Sequence, residues 1–257
     1  MGRLVTGTRL RLTELARQPL TLVMLLVLPP VVIELYATAV ASFPRLPTLG
    51  AAPATVGRMT GALFSVAFLA GLVGLFQVIS ARGGDERAAV AGFPRWAMLT
   101  TRLLTMCLLA LAGAAVAFGA FSLHEQVASP AEAFAALVLA ALVYGLLGVV
   151  IGSLVPKELE GSIILVFVAD IDNALSSGLF PVEASMSLPV VGAVGVTDFV
   201  PLYHPHELFT AAVLDGALPA SHLVPAVGWV AALLVLAFAA YGRATGAGTG
   251  GGRGGAR

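Results

Sequence analysis

Long apolar stretches separated by short polar segments dominate this sequence. Six of the apolar stretches are long enough to cross ~30 Å of hydrocarbon as helices rising about 1.5 Å per residue. They run over residues 20–41, 59–80, 98–121, 134–155, 157–178 and 223–241. The pattern therefore predicts an all-α membrane protein whose residues 20–241 form one six-helix transmembrane domain.

The two ends of the chain have different patterns. Residues 1–19 interleave arginines with leucine and valine, which predicts an amphipathic helix lying on the membrane surface. The alternative is an ordinary cytoplasmic lead-in with no role at the membrane surface. Small residues at 37–41 imitate a signal-peptidase site, but Pro29, Pro30 and Glu34 interrupt the preceding apolar run, so we predict a retained first span. The Gly-rich residues 242–257 predict a disordered tail.

The segment between spans five and six, residues 179–222, contains no lysine or arginine. Residues 186–200 are apolar but too short to cross a membrane, and Pro189, Gly192 and Gly195 interrupt them. We predict a re-entrant or interfacial helical hairpin here, with a further short helix over residues 206–214.

Composition supports the membrane assignment and fixes an expected orientation. Only 11% of the residues are charged, where a soluble domain carries roughly 25%. The 14 basic and 14 acidic residues leave no excess for binding nucleic acid. With the N-terminus inside, 12 of the 14 basic residues lie on the cytoplasmic side and only Arg45 and Arg58 lie outside. We therefore expect a multi-pass protein of the cell (inner) membrane with both termini cytoplasmic.

Acidic side chains inside the predicted spans are the candidate functional groups, because a carboxylate is costly in lipid and should face protein or water. Glu34 lies in span one, and Asp170, Asp172 and Asn173 lie in span five. Asp170 and Asp172 would point about 200° apart on a helix, so they cannot share one partner. These four residues either line a substrate path or make structural hydrogen bonds, and the sequence leaves both interpretations open.

Other common chemistries have little support in the sequence. His204, His206 and Glu207 suggest a metal site only superficially, because Pro205 intervenes and no third ligand is evident. The single Cys107 excludes an intramolecular disulfide. A Walker A loop needs a Gly-Lys-Ser/Thr sequence, and the only lysine, Lys157, follows a proline. We predict no metal site, no catalytic residue and no such ATP site in this chain.

Four features of the sequence together resemble the permease subunits of the type-two ABC transporter family. The first is the basic helix that ends in Arg17-Gln18-Pro19, and the second is the charged loop with the sequence ERAAVAGFPRWAMLTTR over residues 86–102. The third is the sequence LLGVVIGSLVPKELEGSIILVFVADIDNALSSGLFP over residues 146–181, and the fourth is the outer hairpin before span six. The resemblance covers nearly the whole chain.

The resemblance implies a membrane subunit of a prokaryotic exporter. ATP and Mg²⁺ would bind a separate cytoplasmic ATPase subunit, and a second permease copy or paralogue would complete a dimer in the lipid bilayer. Residues 81–97 would be the cytoplasmic coupling loop, with Trp96 and Phe93 at the membrane boundary. The residues expected to couple to the ATPase are Arg82, Asp85, Glu86, Arg87, Phe93 and Arg95.

Three alternatives remain at this point. A secondary transporter would use buried acids and inverted repeats, and no convincing repeat is visible between the halves of the sequence. An intramembrane enzyme would need a histidine or paired acids at membrane depth, and the predicted spans contain no histidine. A structural, non-transporting membrane component of an ATPase complex is the third. The sequence does not identify a substrate.

Overall fold

We describe the fold from a computed structural model, in which residues 19–43, 51–179, 185–188 and 192–244 are described. Residues 1–18 of the predicted interfacial helix and residues 245–257 of the predicted tail lie outside the described residues. Residues 242–244, predicted to belong to the disordered tail, instead form the end of the last helix. Within the described residues, the helices are α1 (Pro19–Ala41), α2 (Pro53–Ile79), α3 (Arg82–Val90), α4 (Arg95–Ser122), α5 (Pro130–Leu154), α6 (Glu158–Ser176), α7 (Tyr203–Leu214) and α8 (Ala220–Ala244).

Five helices within the described residues are long and apolar enough to cross a membrane: α1, α2, α4, α5 and α8. The chain is therefore a multi-pass membrane protein. The predicted fifth span corresponds to α6, which has 19 residues but carries two acids in its first turn and two more at Asp170 and Asp172. A sixth crossing stays a prediction.

The segment between α6 and α8 differs from the predicted helical hairpin. Strand β1 (Ser185–Leu188) pairs antiparallel with β2 (Gly192–Gly195), with Ser185 opposite Gly195. A 3₁₀ turn over Val196–Phe199 and then α7 follow. The predicted helical hairpin is therefore wrong for residues 185–188 and 192–195, because proline and glycine disfavour helix and the two short strands pair their backbones with each other.

The two ends of the bundle hold different elements. The end formed by α3, the start of α4 and the ends of α5 and α8 is called the α3 end. The opposite end holds α7, which is attached to the residues just before α5. The Ala128 N–H donates to the Val213 carbonyl oxygen (3.1 Å), and the Ser129 N–H donates to the Ala212 carbonyl oxygen (3.0 Å). This end is called the α7 end. By the predicted topology, the α3 end is cytoplasmic and the α7 end is outside.

Helices α2 and α5 form the centre of the bundle through glycines that let their backbones touch. A Cβ atom added to Gly148 would lie 2.0 Å from the Gly71 carbonyl oxygen, and one added to Gly74 would lie 2.1 Å from the Gly145 carbonyl oxygen. No side chain fits in either place, and small residues are how membrane helices achieve such close packing. In the 18-residue apolar segment of each helix, 61% of the residues of α2 and α5 are buried, against 22% of those of α1 and α8.

This packing predicts that Gly148→Ala destabilises the bundle by about 1–3 kcal/mol, because the added methyl group must push the α2 and α5 backbones apart. The matched control is Gly119→Ala in α4, where no atom of the described part of the chain lies within 4 Å of the added Cβ atom. Thermal unfolding of the detergent-solubilised variants measures the difference. Equal midpoints for the two variants would show that the close approach of α2 and α5 does not determine stability.

Candidate functional site

The α3 end contains a buried ion pair between Asp85 of α3 and Arg102 of α4. The Arg102 Nη2 atom lies 2.6 Å and 2.7 Å from the two Asp85 carboxylate oxygens. The Tyr241 hydroxyl of α8 donates to the same carboxylate at 2.5 Å, and Arg102 Nη1 donates to the Gln77 carbonyl oxygen near the end of α2. Arg102 is 2% exposed and Asp85 is 5% exposed. Four helices therefore meet at one carboxylate and its guanidinium partner.

Arg82, at the start of α3, makes a second attachment at this end. Its Nη2 atom donates to the carbonyl oxygens of Gly152 (2.8 Å) and Val155 (2.9 Å) at the end of α5. The last carbonyls of a helix lack partners within the helix and carry its negative dipole end. A guanidinium group satisfies both needs, so Arg82 caps α5.

The opposite face of α3 and the turn that follows it are open to the surroundings. Glu86 and Arg87 are exposed, and Val90, Phe93 and Trp96 expose 78%, 52% and 61% of their surfaces. Gly92 forms the turn between α3 and α4 with φ at 87°. The surface formed by Glu86, Arg87, Val90, Phe93 and Trp96 is called the α3 surface below.

The predicted coupling residues thus divide between two environments. Arg82 and Asp85 face inwards and bind other helices of this chain, so the expected direct pairing of Asp85 with a partner does not fit its position. Glu86, Arg87 and Phe93 face outwards, and Arg95 is partly exposed at the start of α4. The sequence did not separate these groups because the loop reads as one charged stretch.

Asp172 is buried within the bundle, where it joins three elements. The Tyr144 hydroxyl of α5 and the Ser176 hydroxyl both donate to its carboxylate, the latter at 3.0 Å. The Leu202 backbone N–H, just before α7, donates to both carboxylate oxygens at 3.1 Å and 3.2 Å. These contacts support the structural interpretation of Asp172.

The other three residues of the predicted substrate path have different neighbours. Asn173 donates from Nδ2 to the Tyr36 hydroxyl of α1 at 3.1 Å, while Asp170 is exposed on another side of α6. Glu34 lies at the α7 end, where Arg58 Nε contacts it at 3.0 Å. The structure brings Asp172 and Asn173 into the bundle, but it does not gather the four residues around one cavity.

Arg58 of α2 also ties Glu34 to a second carboxylate. Its Nη1 atom lies 2.8 Å from Glu125 Oε1, after α4, and the Thr55 hydroxyl donates to Glu125 at 3.1 Å. The Glu34 carboxylate is 3.5 Å from His124 Nδ1. Glu34 is therefore paired with a cation of this chain, which favours a structural role for it.

Two histidines that the sequence leaves apart meet at the α7 end. His204 Nδ1 of α7 lies 3.2 Å from His222 Nδ1 of α8, and His204 Nε2 lies 3.2 Å from the Asp198 carbonyl oxygen. Because a carbonyl only accepts, Nε2–H of His204 donates to it, and His222 donates to His204 Nδ1. Burial lowers the pKa of His204, which favours this neutral form.

His206 does not join that pair. It is 5% exposed, and neither of its ring nitrogens has a hydrogen-bond partner among the described residues. Burial lowers its pKa to about 4. Within the described residues, no group of three or more His, Cys, Asp or Glu side chains is placed to hold a metal ion.

Sequence reasoning missed the roles of Arg102, Tyr241 and Tyr144. One signal was available for Arg102, because an arginine two turns into an apolar helix needs a buried partner. No local signal marks Tyr241, since its partner Asp85 lies far away in the sequence and only the fold brings them together.

No protein-family model matches the chain, and no curated protein matches its sequence. The resemblance to type-two ABC permeases therefore depends on the sequence features given above.

The contacts of Asp172 predict that Asp172→Ala lowers the free energy of unfolding by about 3 kcal/mol, because the Tyr144 hydroxyl and the Leu202 N–H lose their buried acceptor. Asp170→Ala, at an exposed position two residues away, is the matched control and should change stability little. Thermal unfolding in detergent compares the two. An Asp172→Ala protein as stable as the control would show that the carboxylate is dispensable to the fold.

The environment of His206 predicts a loss of stability in acid. Its pKa is lower in the folded state than in the unfolded state, so the unfolded chain binds the extra proton as pH falls below about 6.5. Between about pH 7.5 and pH 5 this effect contributes roughly 2 kcal/mol of destabilisation. His206→Leu should remove that part of the pH dependence.

The control for this change is His124→Gln, which replaces an exposed histidine at the same end of the bundle. Unfolding midpoints measured across the pH range decide the outcome. An unchanged acid-side loss in His206→Leu would mean that other groups cause it.

Proposed function

We propose that this chain is the transmembrane permease subunit of an ATP-binding-cassette exporter, working as a dimer and driven by a separate cytoplasmic ATPase subunit. The observation that carries the proposal is the α3 surface, which a short helix between two spans presents at the end predicted to be cytoplasmic.

The composition of the α3 surface suits a protein partner. Exposed Val90, Phe93 and Trp96 supply apolar contact area, and the adjacent Glu86 and Arg87 supply charges of both signs. Aromatic anchors with surrounding charges are typical of protein interfaces, and the charges would fix the orientation of the partner. The anchoring of α3 by Arg82 and Asp85 holds this surface in a defined position on the bundle.

The exposed flank of α6 supports a second copy of the chain in the membrane. Ile163, Phe167 and Ile171 are exposed there together with Asp170. If α6 is the sixth crossing, Asp170 is costly in contact with lipid and needs protein or water beside it. We propose that the flank faces the partner permease and the substrate path between the two copies.

Purification of the tagged chain from its native membrane in mild detergent tests the proposal. We expect a stoichiometric second subunit that carries Walker motifs and hydrolyses ATP. Repeated recovery of the folded chain alone would overturn the proposal in favour of a secondary transporter or an intramembrane enzyme.

The α3 surface makes a specific prediction for that complex. Reversing both charges, with Glu86→Arg and Arg87→Glu, should reduce the recovery of the ATPase about tenfold or more, because complementary charges at the interface become like charges. Asp215→Arg is the control, since it reverses an exposed charge at the α7 end. Recovery and ATP hydrolysis equal to the unmodified complex would exclude the α3 surface as the docking site.

A further inference from the structure

The short helix α3 has little packing of its own to hold it against the bundle. A Cβ atom added to Gly83 or Gly84 would meet no described residue within 4 Å. Among its residues only Asp85 is buried. Among the described residues, the polar contacts of Arg82 and Asp85 rather than hydrophobic packing therefore hold α3 against the bundle.

Asp85 connects α3 to two spans that are distant from it in sequence. Arg102 lies 17 residues away on α4, and Tyr241 lies 156 residues away on α8. Both charges of the pair are almost fully buried. Separating them would leave each charge unpaired and away from water, and the large free-energy cost of this opposes separation. An exposed pair such as Lys157–Glu160, with side chains 74% and 48% exposed, has no comparable strength.

We propose that Asp85, Arg102 and Tyr241 form a link that makes α3 move together with α4 and α8, so that displacement of α3 is transmitted into the membrane. Arg82 adds a neighbouring attachment to α5. The transmission half of this inference rests on the proposed function, in which an ATPase pushes on α3. The three residues are positioning residues, because the role proposed for them acts through the helices that they join.

The attachment itself is testable on the chain alone by hydrogen–deuterium exchange. Asp85→Asn should increase the rate of deuterium uptake in the peptides of α3 roughly tenfold. Loss of one hydrogen bond to a charged group raises the equilibrium constant for local opening by about that factor. Uptake in α1 and the centre of α5 should stay unchanged. Unchanged uptake in α3 would overturn the link whether or not an ATPase exists.

Transmission is testable in the complex with the co-purified ATPase, trapped with ATP and orthovanadate. In the unmodified complex, trapping should change deuterium uptake in α3, α4 and α8. Tyr241→Phe keeps the ring and removes only the hydroxyl, so it should keep ATPase binding and the change in α3 while the change in α8 falls at least about threefold. Tyr203→Phe, at the α7 end, is the control and should behave like the unmodified protein.

The outcomes separate the two proposals. Absence of an ATPase overturns the proposed function and the transmission half, and the uptake of the chain alone then decides the attachment. An ATPase that binds normally, with an α8 response in Tyr241→Phe equal to that of the control, overturns transmission through Tyr241 and leaves the proposed function standing.

Discussion

Direct contact between the backbones of α2 and α5 is the constraint on which the other helix positions depend. A lipid bilayer provides no hydrophobic driving force between helices, so their association depends on close packing and on hydrogen bonds. Gly74 of α2 and Gly148 and Gly152 of α5 provide the packing, because a side chain at any of them would collide with the backbone of the facing helix. The remaining helices pack around this pair, and α1 packs on α2 in a similar way through Gly57 and Gly61.

Polar networks at both ends of the bundle then fix the relative positions of the helices that close packing does not determine. At the α7 end, Arg58 holds Glu34 and Glu125, and Asp172 holds the chain before α7 against α5 and α6. At the α3 end, Asp85 and Arg102 join α2, α3, α4 and α8. Each network combines groups from distant parts of the sequence, so each one specifies how the helices are arranged as well as stabilising them.

Local patterns in the sequence predicted the apolar helices well and the polar partners poorly. Hydropathy suffices for the five long helices, because burial in lipid acts on each segment separately. The segment before α7 was mispredicted as helical, since its apolar residues gave no sign that two four-residue strands would pair. The hydrogen-bond partners of the polar side chains could not be predicted from local sequence either. Asp85 was predicted to be an exposed loop charge, and only the fold places Arg102 and Tyr241 around it. Glu86 and Arg87, one and two residues further along α3, point away from the bundle instead.

The placement of acids along α6 follows from the same physics. Asp172 lies on the side that faces α5, where hydroxyl and backbone donors satisfy it. Asp170, about 200° around the helix, is exposed among Ile163, Phe167 and Ile171. A membrane helix can keep such a carboxylate only if protein or water covers it. If α6 crosses the membrane, one chain therefore satisfies the Asp172 side by itself, while the Asp170 side needs protein or water beside it, which the proposed second copy and substrate path would provide.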